Sequence, residues 1–243
     1  MTLTEPEIGA LLVALVRTGG LAVSAPVIGD RTVPVRARLV AVVAIALAVG
    51  ANRRGVTYAE VPEIAILELA VGLLTGLTAR FILARAQVAG QLIGLSLGLG
   101  FASAYDPHAG ESASTVSTLF NTLSGLAFLA AGGLEAIARG VAADPATPGQ
   151  VLVLGETLIA QGTAAMGHGL AIAAPVVIAS LVANLGLAVL GRAAPSINMF
   201  SVSLAATLLA GGLALSGSGS AVIGALTDSA RDAVHVIEAP SLP

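Results

Sequence analysis

Three side chains in this sequence carry a charge or a titratable ring among apolar neighbours: Arg17 in "GALLVALVRTGGLAVSA", Glu68 in "EIAILELAVGLLTG" and His168 in "AAMGHGLAIAAP". A charge at membrane depth is costly and turns toward a partner or toward water. Arg17 and Glu68 could therefore form an ion pair, or each could lie near an interface and extend its charged end outward. His168 stands between two glycines with no carboxylate near it in sequence, so it is read as a turn residue rather than a proton relay. Other chemistry is scarce. The absence of cysteine rules out disulfides, thiolate metal sites and cysteine nucleophiles. All 11 basic residues are arginine, and without lysine neither a Walker-type phosphate loop nor a Schiff-base mechanism is available. There is no H-E-x-x-H, no dinucleotide fingerprint and no acidic cluster at metal-ligand spacing. The expectation is a protein that is not an enzyme, with no cofactor and no metal.

The composition says where these residues live. Of 243 residues, 56% are hydrophobic and only 10% charged, against roughly 25% charged in ordinary soluble domains. Mean hydropathy is +0.94. This is the profile of a membrane protein, counted in helices of about 20 residues. A net charge of -3 and no basic cluster longer than Arg53-Arg54 argue against nucleic acid as a partner. Glu5 and Glu7 stand where a signal peptide would be positive, so no cleaved leader is expected.

The elements that must position these residues are apolar stretches at about 8 to 28, 39 to 51, 61 to 79, 86 to 105, 119 to 138, 151 to 190 and 197 to 226. Each must satisfy its own backbone hydrogen bonds, so the fold class is all-α, a multi-helix membrane-associated protein. The second stretch is short and has arginines on both sides: Arg31, Arg36 and Arg38 before it, Arg53 and Arg54 after it. The sixth is too long for one span and is interrupted by Gly167, His168, Gly169 and Pro175, which predicts a helical hairpin or a bent pair. Uneven lengths and conflicting charge bias fit helices buried against other protein. Aromatic residues are only 3% of the chain and tryptophan is absent, so an interfacial belt is thin.

Gly72 and Gly76 are four residues apart, as are Gly90, Gly94 and Gly98, which puts each set on one helix face and lets a neighbouring backbone approach. In a chain with 29 glycines such spacing also arises from composition alone. After the triple the chain changes abruptly, from "GQLIGLSLGLG" to "FASAYDPHAGESAS", where small polar residues are broken by Pro107 and Gly110. By composition the stretch reads as a solvent loop joining two helices.

Four segments resemble the FliR/SctT family of type III export gate proteins. They are "RTGGLAVSAPVIGDRTVPVRARL", with Arg17, Pro26, Pro34 and Arg36; "ELAVGLLTG", with Glu68, Gly72 and Gly76; "GQLIGLSLGLGFASAYDP", with Gly90, Gly94, Gly98, Phe101, Asp106 and Pro107; and "GRAAPSINMFSVSLAATL", with Arg192, Pro195, Asn198 and Phe200. The likeness covers about residues 8 to 226. Ser96 and Ser196 stand where glutamine is expected, and Ser203 and Ala205 replace a glycine and a proline.

The resemblance implies a single gate domain over 1 to 243, with 229 to 243 as a short C-terminal tail. It also implies helical hairpins packed with FliP- and FliQ-like partners, FlhB and FlhA next to them, and contact with membrane lipid. The implied place is the flagellar basal body in the bacterial inner (cytoplasmic) membrane, and the implied cargo is unfolded flagellar export substrates. Gly72, Gly76, Gly90, Gly94, Gly98, Pro195, Asn198 and Phe200 would serve helix packing and assembly, and Arg17 and Glu68 would be intramembrane charges. The segment Tyr105, Asp106, Pro107, His108, Ala109, Gly110, Glu111, Ser112, Ala113, Ser114, Thr115, Val116 and Ser117 would be a loop that projects into the channel and helps close it. Two other readings stay open: the gate subunit of a virulence injectisome, and an ion or small-molecule transporter using Arg17, Glu68 and His168.

Overall fold

A computed structural model of the chain describes residues 4–30, 33–50, 54–99, 115–193 and 199–239. Among these residues there are eight helices: α1 (Glu5–Ser24), α2 (Val35–Gly50), α3 (Val61–Ser96), α4 (Thr115–Ala130), α5 (Gly133–Ala142), α6 (Pro148–Ala193), α7 (Met199–Gly217) and α8 (Gly219–Glu238). The chain is all-α, as the apolar runs require. Three helices, α1, α3 and α6, are long and apolar enough to cross a membrane, or up to five spans if each bent pair counts as one.

Local chemistry explains where the helices start and break. The Glu7 carboxylate accepts the Thr4 backbone N–H at 2.7 Å, with Pro6 in the first turn of α1. Before α6, Gln150 accepts the Thr147 N–H at 3.0 Å while the Thr147 hydroxyl accepts the Gln150 N–H at 3.4 Å, a complete capping box with Pro148 as the first helical residue. Gly132, at φ 87°, separates α4 from α5, which are bent by 59°. A bend of 63° at Ser218 separates α7 from α8.

Two expectations are corrected. The stretches at 61 to 79 and 86 to 105 are not two segments: α3 runs from the first into the second for 36 residues, because Arg80 and Arg85 between them are good helix formers with no proline or cap signal. The sixth stretch is not a hairpin either, since α6 is one helix of 46 residues with Pro175 inside it. Proline at 175 removes a single hydrogen bond. His168 lies mid-helix rather than in a turn, and Gly169 beside it is small for a packing reason: a β-carbon there would press on Val88 and lie 3.0 Å from the Arg85 carbonyl oxygen.

The helices form two compact units. The first draws on residues 1–83, 125–164 and 229–243, the second on 84–124 and 165–228. The core of the first gathers Ala14, Leu21, Ile82, Phe128, Ile137 and Ile237. The proposed C-terminal tail contributes to it: residues 229 to 238 are the end of α8, with Ala230, Ala233 and Ile237 fully buried. The core of the second gathers Ala86, Ile93, Phe120, Ala173, Val176 and Leu226. Burying a side chain of the size of Phe128 or Ile82 is worth about 1.5 to 3 kcal/mol. Apolar surface is also left open. Only 17% of the most apolar stretch of α6 is buried, and Leu152, Ile159, Ile178, Leu181, Leu185 and Val189 all face outward.

Candidate functional site

The two charged residues singled out in the sequence meet inside the first unit. Arg17 on α1 is 1% exposed and Glu68 on α3 is 0% exposed, so neither extends to an interface. The Arg17 guanidinium forms an ion pair with Glu68 through Nε and Oε2 and donates from Nη2 to Oε1 at 3.1 Å. Its remaining donors reach backbone. Nη1 donates to the carbonyls of Gly140 (3.1 Å) and Ala143 (3.3 Å), and Nη2 to that of Asp144 (3.0 Å). These oxygens lie at and just past the C-terminal end of α5, where helix carbonyls lack internal partners and a positive charge is favoured. Glu68 Oε1 in turn accepts the Ala146 backbone N–H at 2.9 Å, two residues before α6 begins. One buried knot therefore ties α1, α3, the end of α5 and the start of α6.

The first glycine pair belongs to the same interface. Glu68, Gly72 and Gly76 follow one another at four-residue spacing along α3 and face Arg17, Leu21 and Ser24 of α1. A β-carbon on Gly72 would press on the Arg17 carbonyl and lie 3.1 Å from the Leu21 nitrogen. One on Gly76 would press on the Ser24 hydroxyl and lie 2.8 Å from the Ala25 nitrogen. From the other side, a β-carbon on Gly20 would lie 2.9 Å from the Leu69 carbonyl oxygen. The backbones touch, and that closeness lets the short reach from α1 to α3 seat the ion pair. Sequence reasoning missed Gly20 and gave the polar linker "ADPATPGQ" no role in the site; the Gly19-Gly20 pair was the available signal for the first.

In the second unit, Gly90 performs the same service between α3 and α4. A β-carbon on it would lie 2.7 Å from Ser117 Cα and 2.9 Å from the Val116 carbonyl oxygen. The Ser117 hydroxyl donates to the Gln87 carbonyl at 3.3 Å. Gly94 is buried. Gly98 is not on this face, because α3 has already ended: it adopts φ 75°, its N–H donates to the Leu95 carbonyl (3.1 Å), and the Leu99 N–H donates to the Gly94 carbonyl (3.0 Å). This is the glycine-terminated Schellman end of a helix, so Gly98 is a stop signal rather than the third member of a ridge.

Of the segment expected to fill a channel, Tyr105 to Ser114 lie outside the described residues, as do Pro195 and Asn198. Phe200 stands in the first turn of α7, and its side chain also lies outside them. Thr115, Val116 and Ser117 are not loop but the first turn of α4, with Ser117 1% exposed. A Thr-Val-Ser-Thr run reads as polar loop by composition; here Val116 and Phe120 join the second unit's core and pull the turn into the helix.

A charge-neutral knot, backbone-to-backbone helix contacts and open apolar helix faces can hold a shape and present surface to other helices. Comparison with known proteins supplies the family. The family described as "Bacterial export proteins, family 1" matches residues 8–232. Similar individual proteins include "Flagellar biosynthetic protein FliR" of Caulobacter vibrioides, 29% identical over 250 aligned positions that cover 97% of each chain. The protein of the same name from Escherichia coli strain K12 is 29% identical over 210 positions, covering 81% of this chain and 79% of its own. That from Aquifex aeolicus is 34% identical over 154 positions, covering 61% and 59%. With a match over nearly its whole length and an all-helical fold to go with it, the chain belongs to family 1 of the bacterial export proteins.

Proposed function

We propose that this chain is a non-enzymatic subunit of the flagellar type III export gate, assembling with FliP and FliQ into the channel through which unfolded flagellar subunits leave the cytoplasm. The observation that carries this reading is the unbroken family match over residues 8–232. The flagellar name of the quoted relatives favours a flagellar gate over an injectisome gate. The fold supports the reading in two ways. By the 1.5 Å rise per residue, α3 would extend about 54 Å and α6 about 69 Å, well beyond a hydrocarbon core of about 30 Å. Helices of that length with open apolar faces fit a chain whose surface is completed by neighbouring subunits, with lipid on what remains. The whole chain then acts as one gate domain, at the flagellar basal body in the bacterial inner membrane, with FlhB and FlhA adjacent.

Within this reading the segment from Tyr105 to Ser114 is the plug that closes the channel at rest, and Gly98 and Ser117 fix the helix ends on either side of it. A resting pore wide enough for an unfolded chain would dissipate the ion gradient unless something occupied it. Ser112 and Ser114 suit a plug because they are small and keep water contact, and Gly110 and Ala113 add little bulk. The test is to replace Gly110 to Ser114 by two glycines and measure solute uptake in cells that hold the assembled complex without cargo. Leakage with normal assembly is expected. Unchanged permeability with normal assembly makes the stretch an ordinary connection.

A further inference from the structure

Where α1 ends, the backbone turns through Ala25, Pro26, Val27, Ile28, Gly29 and Asp30 before α2 begins at Val35. Val27 has φ 66°, the one positive value outside glycine among the described residues. Across it the Ile28 N–H donates to the Pro26 carbonyl at 2.8 Å, which makes it the centre of a γ-turn of the rare, strained hand. Left-handed backbone is especially unfavourable for a β-branched residue. Such a conformation persists only where surrounding contacts impose it. Val27 and Ile28 pack on the core of the first unit and the Gly29 N–H donates to the Ala25 carbonyl at 2.9 Å, and Arg38 of α2 folds back on the turn: its Nε donates to the Ile28 carbonyl at 3.0 Å and its Nη2 to the Asp30 carbonyl at 2.8 Å. Hydrogen bonds from a charged donor are the stronger kind. Beneath the turn lies a small apolar cavity of about 10 Å³, lined by Leu21, Ala25, Ile28, Val42, Ile45 and Ile137, where α1 and α2 meet.

We propose that the turn from Ala25 to Asp30 is a strained joint latched by Arg38, with a second, relaxed conformation in which Val27 leaves the left-handed region and α2 lifts off α1. Strain at Val27 favours release, and the two Arg38 hydrogen bonds oppose it. The pair forms a two-state element whose balance a single side chain sets. On the export-gate reading, which this inference extends, the movement of α2 changes the apolar face that Leu39, Val40, Val43 and Leu47 present to neighbouring helices.

The chain has no cysteine, so one placed in the joint reports alone. In full-length chain carrying Val42→Cys in native membranes, the rate of maleimide labelling measures how often α2 lifts, because Val42 is buried against the cavity when the joint is latched. Val27→Gly removes the steric penalty and leaves both Arg38 bonds in place, and although it gives up the packing of Val27 on the core it is expected to slow labelling, by at most about five- to thirtyfold, the Boltzmann weight of that penalty. Arg38→Ala is expected to speed it by at least about tenfold, and Arg38→Lys, which cannot make both bonds in the same geometry, by less. If the alanine variant does not accumulate, the glycine and lysine variants decide. Labelling that rises or stays constant in Val27→Gly, or stays constant in both arginine variants, overturns the joint. Labelling does not depend on export, so loss of the gate reading would leave this result standing, and the reverse holds too.

Discussion

Replacing Glu68 by glutamine keeps the size of the side chain and removes only its charge. What remains is the Arg17 guanidinium, 1% exposed, with three backbone carbonyls but without the Glu68 carboxylate, and an amide NH2 group competing with its donors. Breaking one side of a buried pair in this way costs about 3 to 5 kcal/mol, because the surviving charge has no water to return to. Against a total stability of about 5 to 15 kcal/mol that is a large loss. If unfolding in detergent follows the size scaling of soluble domains, the half-denaturation temperature falls by about 6 to 20 °C. Arg17→Met should behave alike, for it also strips the carbonyls of Gly140, Ala143 and Asp144 of their donor. The double variant Arg17→Met/Glu68→Leu should cost less than the sum of the two, by about 0.5 to 3 kcal/mol, since no unpaired charge remains. The assay is thermal unfolding of the tagged full-length chain in detergent, alongside its level in membranes. A shift below about 2 °C for Glu68→Gln, or singles that simply add, would refute the buried-knot reasoning.

Three further outcomes follow from the same contacts. Gly76→Leu should separate α1 from α3 and lower the amount of folded chain, an overpacking penalty of about 1 to 3 kcal/mol or more because backbone lies opposite; protease resistance in membranes measures it. Gly94→Leu should impair assembly or motility while Leu95→Ala, at a side chain 66% exposed, does so less; equal behaviour of the two in a swimming assay would remove Gly94 from the packing surface. Gly98→Ala should destabilise by about 1 kcal/mol, the cost of a β-carbon at φ 75°, with hydrogen exchange at Leu97 to Leu99 rising accordingly.

The all-helical class and the charged residues of interest were legible because both rest on local rules: apolar runs must become helices, and a charge within one needs a partner. The pairing of Arg17 with Glu68 was one of two readings the sequence left open, and the choice between them was not legible, since the encounter depends on α1 and α3 touching backbone to backbone through Gly20, Gly72 and Gly76. The role of the α5 end in holding Arg17 was invisible for the same reason, being a long-range contact with main-chain oxygens that every residue has. Helix lengths were misjudged where breaker residues were given too much weight. In α6, Gly169 makes room for Val88 and Pro175 forgoes one hydrogen bond, and the helix continues. Gly98 was the opposite case. It fits the four-residue spacing, yet its positive φ and two capping hydrogen bonds make it the end of α3.

The central claim is that this chain is a gate subunit completed by FliP and FliQ, and it is tested most directly by purifying the tagged full-length chain from its own cells in mild detergent and identifying what accompanies it. The account predicts a complex that contains FliP and FliQ in fixed proportion, and a chain that is degraded or heterogeneous when those two are deleted. A monodisperse, stable monomer whose yield is the same with and without them would contradict it.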